Sequence, residues 1–371
     1  MGKRILIGCY EVPGYGGAST AGYDLSEMMQ EDGFDVHFVN LIEEQDKEYF
    51  AYMFGPDCGN PRFLANVYNC VLNGALLSPH PELTCFMNEV DPDILLGIGW
   101  IAALLMKRAS PQRRLIFLTT GCEQVKSYVV GKRRGDFFSQ EDFKRRRRGS
   151  PKLFHEHEKE AVRVSDYIIT HSDMIRSLYH DFFPFHLGKM CPDVIWFAEW
   201  IRKDALAHSG LQKPFCERDI DILFVSSSWA RREKNYDLVK RIVSRCKAAR
   251  VHVVGEVGKK YAPGKYHGLL ARRADLFSLM GRAKAVICPS LFDAAPGILF
   301  EASAMGCNII ATKSCGNWRI CNKDLLVDPP HLRCFLQKIA LSLSSKYEDN
   351  VDYFLSRRSY KSLVDIISVF S

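Results

Sequence analysis

Short apolar runs of five or six residues alternate, from one end of the chain to the other, with segments whose apolar positions recur every three or four residues. Runs that short, rich in Val, Ile and Leu and bounded by turn residues, read as strands, and the 3.6-residue period between them reads as helices. Strands are expected over 4–9, 35–40, 93–98, 114–119, 167–171 and 193–197, and helices over 19–32, 100–108, 154–164 and 173–180. A second series starts at Asp221, with strands over 221–226, 251–255, 285–289, 308–312 and 325–328 and helices over 236–247, 268–280, 297–305 and 330–343. Residues 207–218 carry Gly, Pro, Lys and His without a period and read as a linker, while 351–371 reads as one or two helices. Such alternation predicts α/β layers with parallel sheets. The expected architecture is two Rossmann-like halves, 1–206 and 207–350, with 351–371 returning to the first. Ligands of doubly wound sheets lie beyond the carboxyl ends of the strands, so two halves facing each other would bring both rims to one cleft.

A length of 371 residues exceeds one ordinary core and agrees with two domains. Hydrophobic residues at 47% and charged ones at 25% exclude a disordered or fibrous chain. No run approaches the ~18 apolar residues that cross a bilayer, and the apolar run after Met-Gly-Lys-Arg is too short for a signal segment. A cytoplasmic protein is therefore expected. The 13 cysteines are odd in number, scattered and without a Cys-x-x-Cys pair, which fits buried free thiols better than a disulfide framework or a zinc site.

The formal charge of +7 is partly concentrated in the run Lys144 to Arg148, with Lys132, Arg133 and Arg134 upstream. Such a run is a solvated loop or a contact for anionic lipid headgroups or a phosphorylated acceptor. No aromatic residues interleave it, so nucleic acid is not an expected partner. Two metal-like patterns also fall away. Asp91 and Asp93 mimic Asp-x-Asp but open a buried strand, and His155 and His157, two apart on a helix, point in different directions.

Three stretches carry candidate chemistry. Val-Pro-Gly-Tyr-Gly-Gly-Ala-Ser, 12–19, follows the first strand and opens a helix, so Gly14, Gly16 and Gly17 either admit a phosphate or sugar or simply make a tight turn. It is not a dinucleotide fingerprint: Ser19 stands at the third glycine position and Asn40 where a ribose-binding acid belongs. Phe-Val-Ser-Ser-Ser-Trp-Ala-Arg-Arg-Glu-Lys-Asn, 224–235, places Ser228 at a strand end and Arg231, Arg232 and Lys234 on its exit loop. Cations there suit a diphosphate, or are solvated loop charges. Finally Cys288 to Gly306 sets Asp293 on a loop and Glu301 one turn into the helix that Pro296 and Gly297 open. The two acids read the hydroxyls of a sugar or ribose, or merely complement a helix dipole; on the residues alone both readings stand.

Val-His-Val-Val-Gly-Glu, ending at Glu256, together with the stretch from His267 through Asp-Ala-Ala-Pro-Gly-Ile-Leu-Phe-Glu to Cys315-Gly316, resembles the donor half of the family 4 retaining glycosyltransferases of GT-B fold. The likeness spans roughly 221–330. It implies an α/β, GT-B chain of two Rossmann-like domains facing across a cleft, the first binding acceptor. It also implies that Asp293 contacts the donor sugar, Glu301 the ribose, and the backbone amides around Pro296, Gly297 and Ile298 the diphosphate or sugar, with Ala295 in the same donor-binding set. Asp293, Lys234 and Arg232 become the catalytic candidates; Gly16, Gly17, Ser228, Arg231 and Glu256 join the donor-binding set. Two departures stand out: Trp229 replaces the family's Arg five residues before Lys234, and Thr120 replaces its His before Gly121.

In the first half, Pro-Gly-Tyr-Gly-Gly-Ala-Ser, the strand after Asp91-Pro92 and the 158–172 segment are similar to the acceptor domain. The implied activity is metal-independent, retaining hexosyl transfer from a nucleotide sugar, most commonly a UDP-sugar such as UDP-glucose. No cofactor beyond that co-substrate is expected. The acceptor would be a glycan or lipid-linked glycan in polysaccharide or glycoconjugate biosynthesis, with peripheral membrane contact through Lys144 to Arg148. A catalytically silent GT-B protein serving a complex and a nucleotide-sugar epimerase are the alternatives.

Overall fold

The computed structural model describes residues 3–10, 17–41, 61–64, 81–122, 125–126, 128–129, 137, 152–191, 194, 196–256, 264–270, 272–356 and 359–369. The chain divides into two compact units, one of Met1–Gln124, Gly149–Phe197 and Tyr360–Ser371, the other of Val125–Arg148 and Ala198–Ser359. The run Lys144 to Arg148 and the loop residues Gly14 and Gly16 lie outside the described residues.

The first unit is built on strands β1 (Arg4–Tyr10), β2 (Asp35–Leu41), β3 (Pro61–Leu64), β4 (Ile94–Ile98), β5 (Arg114–Leu118) and β6 (Tyr167–Ile169), in the order β3-β2-β1-β4-β5-β6. Every pairing is parallel. Helices α1 (Gly17–Glu31), α2 (Pro81–Val90), α3 (Trp100–Ala109), α4 (Lys152–Val164) and α5 (Asp173–Phe182) cover it. Parallel strands are buried on both faces, and β4, Ile-Leu-Leu-Gly-Ile, is buried along its whole length. Gly97 is required there: a Cβ would stand 2.5 Å from the Ala103 Cα of α3, so helix and strand pack backbone to backbone. Asp91 and Asp93 sit at the opposite, amino-terminal edge of the sheet. The Asp93 carboxylate accepts the Arg4 N–H at 2.8 Å and Asp91 pairs with Arg113, so both are committed to the scaffold. His157 likewise stacks on Trp100, ring centroids 5.6 Å apart.

The end of one expected strand is helical. Of residues 193–197, where Val-Ile-Trp-Phe predicts extended chain, Trp196 and Phe197 open α6 (Trp196–Ala207), and 193 and 195 lie outside the described residues. Its buried positions Phe197, Ile201 and Ala205 recur every four residues, a stripe that becomes visible only with the downstream sequence. The chain just before it still follows β6, with Cys191 N–H donating to Ile168 O at 2.9 Å and Val194 N–H to Thr170 O at 3.0 Å. The described part of 207–218 contains two short 3-10 turns, Ser209–Leu211 and Phe215–Glu217.

The second unit contains β7 (Ile220–Ser228), β8 (Val251–Glu256), β9 (Lys265–Tyr266), β10 (Ala283–Ile287) and β11 (Asn308–Ile310) in the all-parallel order β11-β10-β7-β8-β9. Its helices are α7 (Tyr236–Arg245), α8 (Arg273–Gly281), α9 (Ile298–Ala304), α10 (Leu332–Ser344) and α11 (Val351–Leu355). Two expectations are corrected here. The helix expected from 268 begins at Arg273, because the chain first adds the short edge strand β9, and the strand expected over 325–328 is reduced to one bridge between Thr312 and Val327. The last helix, Tyr360–Val369, belongs to the first unit, whereas α11 belongs to the second. The core of the second unit joins Ile222, Phe224, Trp229, Val239, Ile242, Val253, Ile287 and Phe335.

Candidate active site

Both sheets share the doubly wound order, in which the first strand pairs on one side with the second and on the other with the fourth. The connections leave these two central strands in opposite directions, and the crevice between them is where ligands of such sheets bind. In the second unit those central strands are β7 and β10. The loop that leaves β7 carries Arg231, Arg232 and Lys234, and the loop that leaves β10 carries Asp293, so both candidate loops converge on one switch point.

Their geometry is fixed mainly by backbone. Arg232–Lys234 forms a 3-10 turn closed by Asn235, which takes the left-handed conformation at φ 61°, ψ 48°. The Asn235 amide donates to Pro289 O at 3.0 Å, and Leu291 N–H donates to Glu233 O at 2.7 Å, so the two loops are stitched together. Lys234 Nζ then meets Asp293 Oδ2 at 2.6 Å, with both side chains mostly buried, at 19% and 14% exposure. The Asp293 backbone is held from the other side: its N–H donates to Ser314 O at 3.2 Å and its O accepts from Gly316 N–H at 2.7 Å. Residues 59 apart in sequence thus present a charge pair on a rigid floor.

Arg231 Nε donates to Glu233 Oε1 at 2.8 Å, and both Arg231 and Arg232 are exposed on the same turn. Ser228 is buried, and its hydroxyl oxygen accepts the Ala230 N–H at 3.3 Å, so it shapes the turn. Glu256, opposite Ser228 at the end of β8, is exposed, and its backbone oxygen accepts from Trp229 N–H at 2.8 Å. Trp229 itself is 4% exposed and donates its indole N–H to Val254 O at 2.9 Å. It stands in the hydrophobic core of the unit, so the position where the resembling family has a cation points inward here.

Across the crevice, Pro296 is buried, and Ala295, Gly297 and Ile298 are half-buried at the start of α9. Leu299 and Phe300 donate their N–H groups to Pro296 O and Gly297 O, and Glu301 N–H also bonds Gly297 O, so the amides beyond position 298 are already used. The Glu301 carboxylate makes no hydrogen bond or ion pair with another described residue. Burial pushes its pKa up from the ordinary carboxylate value, Arg273 draws it back and Asp204 adds to the rise. Arg273 and Asp204 lie 3.4 Å apart as an ion pair beside it. A half-buried carboxylate with open acceptor capacity is suited to a ligand carrying neighbouring hydroxyls.

The second unit therefore brings together Lys234, Arg231, Arg232, Asp293, Gly297 and Glu301. Gly17 opens α1 of the first unit, exposed, with nothing within 4 Å of a Cβ placed on it. Sequence reasoning did not reach Arg273 and Asp204, since they lie 28 and 97 residues before Glu301 on α8 and α6 and only their spacing in the fold connects them to it. Among the described residues no group of three or more His, Cys, Asp or Glu is arranged to hold a metal ion, and no helix is long and apolar enough to cross a membrane.

Residues 219–345 match the model of the Glycosyl transferases group 1 family. No curated protein sequence matches the chain. Among solved structures, sucrose-phosphate synthase from Thermosynechococcus elongatus superposes with a TM-score of 0.63 at 15% identity, covering 93% of this chain and 90% of that one. The lipopolysaccharide outer core galactosyltransferase WaaB gives a TM-score of 0.61 at 14% identity, covering 99% of each chain. Anabaena Alr3699/HepE, in complex with UDP and glucose, gives 0.64 at 12% identity, covering 99% of this chain and 100% of that one. The chain as a whole thus has the GT-B fold of two Rossmann-like domains, and residues 219–345 carry its Glycosyl transferases group 1 domain.

Proposed function

We propose that the protein is a retaining glycosyltransferase that moves a hexose from a nucleotide-diphosphate sugar, a UDP-sugar first among them, to a glycan or lipid-linked glycan acceptor. The observation that carries this reading is the Lys234–Asp293 pair at the switch point of the second sheet, with the unpaired Glu301 carboxylate on the helix that follows. Departure of a nucleoside diphosphate builds negative charge that fixed cations must hold, and Lys234 with Arg232 or Arg231 supplies them. Asp293 orients Lys234 and offers its remaining oxygen to a sugar hydroxyl. Glu301 accepts the paired hydroxyls of the ribose. The leaving phosphate takes the acceptor's proton as the new bond forms on the same face. The UDP and glucose held by HepE support a nucleotide-sugar donor.

One observation favours a second reading, a catalytically silent protein that binds the sugar nucleotide. Trp229 lies in the core where the resembling family keeps a cation, so the clamp on the diphosphate holds one fixed charge fewer. Calorimetric titration against a panel of nucleotide sugars, followed by donor turnover with glycan and lipid-linked acceptors, separates the two. Transfer requires binding that is lost in Glu301→Ala together with turnover. Binding without turnover selects the silent protein, and binding of no nucleotide sugar refutes both.

A further inference from the structure

A pair of thiols adjoins this site and has no part in the proposed reaction. Cys288 follows β10 and is 4% exposed; Cys315, in the loop after β11, is fully buried. Their sulfurs are 3.5 Å apart although 27 residues separate them in sequence. The pair is not isolated from the charged floor. Cys315 lies between the two residues whose backbones hold Asp293, Ser314 O accepting the Asp293 N–H and Gly316 N–H donating to Asp293 O. Cys288 is two residues from Ser290, whose hydroxyl it approaches at 3.7 Å, and five from Asp293.

We propose that Cys288 and Cys315 are an oxidisable dithiol, converted by a hydroperoxide into a disulfide that re-aims Asp293 and weakens nucleotide-sugar binding. The step balances. The Cys288 thiolate attacks the O–O bond and becomes a sulfenic acid as the alcohol or water leaves. The Cys315 sulfur then attacks the sulfenic sulfur, and the hydroxyl departs with the Cys315 proton as a second water. Two thiols are oxidised, and one peroxide bond is reduced.

The pair is asymmetric in the sense this sequence needs. The hydrogen bond with Cys315 pulls the Cys288 thiol below its ordinary value against the effect of burial, while that same bond and burial push Cys315 up. Cys288, 4% exposed where Cys315 is fully buried, is the thiol a peroxide reaches first, and Cys315 is the resolving one. The neighbouring buried thiols are poorer candidates: burial raises Cys321 and lifts Cys307 to about 11. Bond formation draws the sulfurs from 3.5 Å to about 2.05 Å. Cys315 has a peptide on each side bonded to Asp293, so that displacement is transmitted to the carboxylate that holds Lys234.

The dithiol chemistry stands by itself, whereas its effect on binding rests on the donor-site reading above. The test treats the reduced full-length protein with hydrogen peroxide, blocks remaining thiols by alkylation and digests with trypsin. Cleavage after Lys284, Lys313 and Arg319 puts Cys288 and Cys307 in one peptide and Cys315 in the next, so the disulfide joins the two. The joined peptide is expected in wild type and in Cys307→Ser, absent from Cys288→Ser and Cys315→Ser, and reversed by dithiothreitol. Titration with the nucleotide sugar bound by the reduced protein is expected to weaken at least tenfold on oxidation and to recover on reduction.

No joined peptide at a peroxide dose that already oxidises the exposed Cys85 overturns the proposal. So does a junction that persists in Cys288→Ser, or a disulfide that leaves affinity unchanged. If the reduced protein binds no nucleotide sugar, the donor-site reading and the binding effect fall together, while the joined peptide still decides the dithiol.

Discussion

Neutralising Lys234 tests the floor of the site most directly. The pair lies 2.6 Å apart with less than a fifth of either side chain exposed. At an effective dielectric near 20 the gross attraction at that separation is about 6 kcal/mol, most of it offset by the desolvation of the two ions. The net cost of removing one partner is set by the charge left behind. It lies between the ~0–1 kcal/mol of an exposed pair and the ~3–5 kcal/mol of a fully buried one, so about 1–3 kcal/mol is expected for Lys234→Met and for Asp293→Asn taken singly. At roughly 2–4 °C per kcal/mol for a domain of this size, the transition of the second unit should fall by roughly 2–12 °C. The double variant leaves no orphan ion and should be at least as stable as the worse single variant. Thermal melts of all four proteins complete the cycle. Strictly additive losses, with a coupling below about 0.3 kcal/mol, would refute an ion pair that works as a unit.

Three further outcomes follow from the same unit. Trp229→Ala should cost about 3–5 kcal/mol by urea unfolding, because a core indole leaves a cavity and its bond to Val254 O is lost. Trp229→Arg should be no better and should not tighten nucleotide binding, since the position faces the core; tighter binding in titration would show that it faces the site. Gly255→Ala should destabilise by on the order of 3 kcal/mol or more, because Gly255 holds φ 121° and a Cβ would come within 1.6 Å of Ser226 O; an unchanged urea midpoint would contradict that packing.

His252 is pushed down to about 4 by burial, with the neighbouring His267 and Lys265 opposing its charge and Asp219 favouring it slightly. It is neutral in the fold, while the unfolded chain takes up a proton near pH 6.5. Its contribution to stability is therefore present above pH 6.5 and lost as pH falls towards 4. His252→Phe should flatten that part of the stability profile, and an unaltered slope between pH 6.5 and 4 would remove His252 as its source.

Period and turn chemistry alone determined most of the two series of strands and helices, though not β3, α2 or β9, because a strand buried on both faces must be a short apolar run and its covering helix must repeat near 3.6 residues. They also placed Lys234, Asp293 and Glu301 on loops or helix starts at strand ends, where backbone curvature and charge are local properties. Only the tertiary structure decided three other matters. The chain becomes helical at Trp196 since its buried stripe extends to Ala205, and the β-forming residues Trp196 and Phe197 yielded to packing. Trp229 turned inward, where it joins the core and its indole N–H donates to Val254 O. The pairing of Lys234 with Asp293 and of Cys288 with Cys315 depends on strand order, and the packing of α6 and α8 sets the Arg273–Asp204 ion pair beside the unpaired Glu301. β7 lies beside β10, and β10 beside β11, only because crossover helices carry the chain back across the sheet, and no pattern within one segment records which strand will be its neighbour.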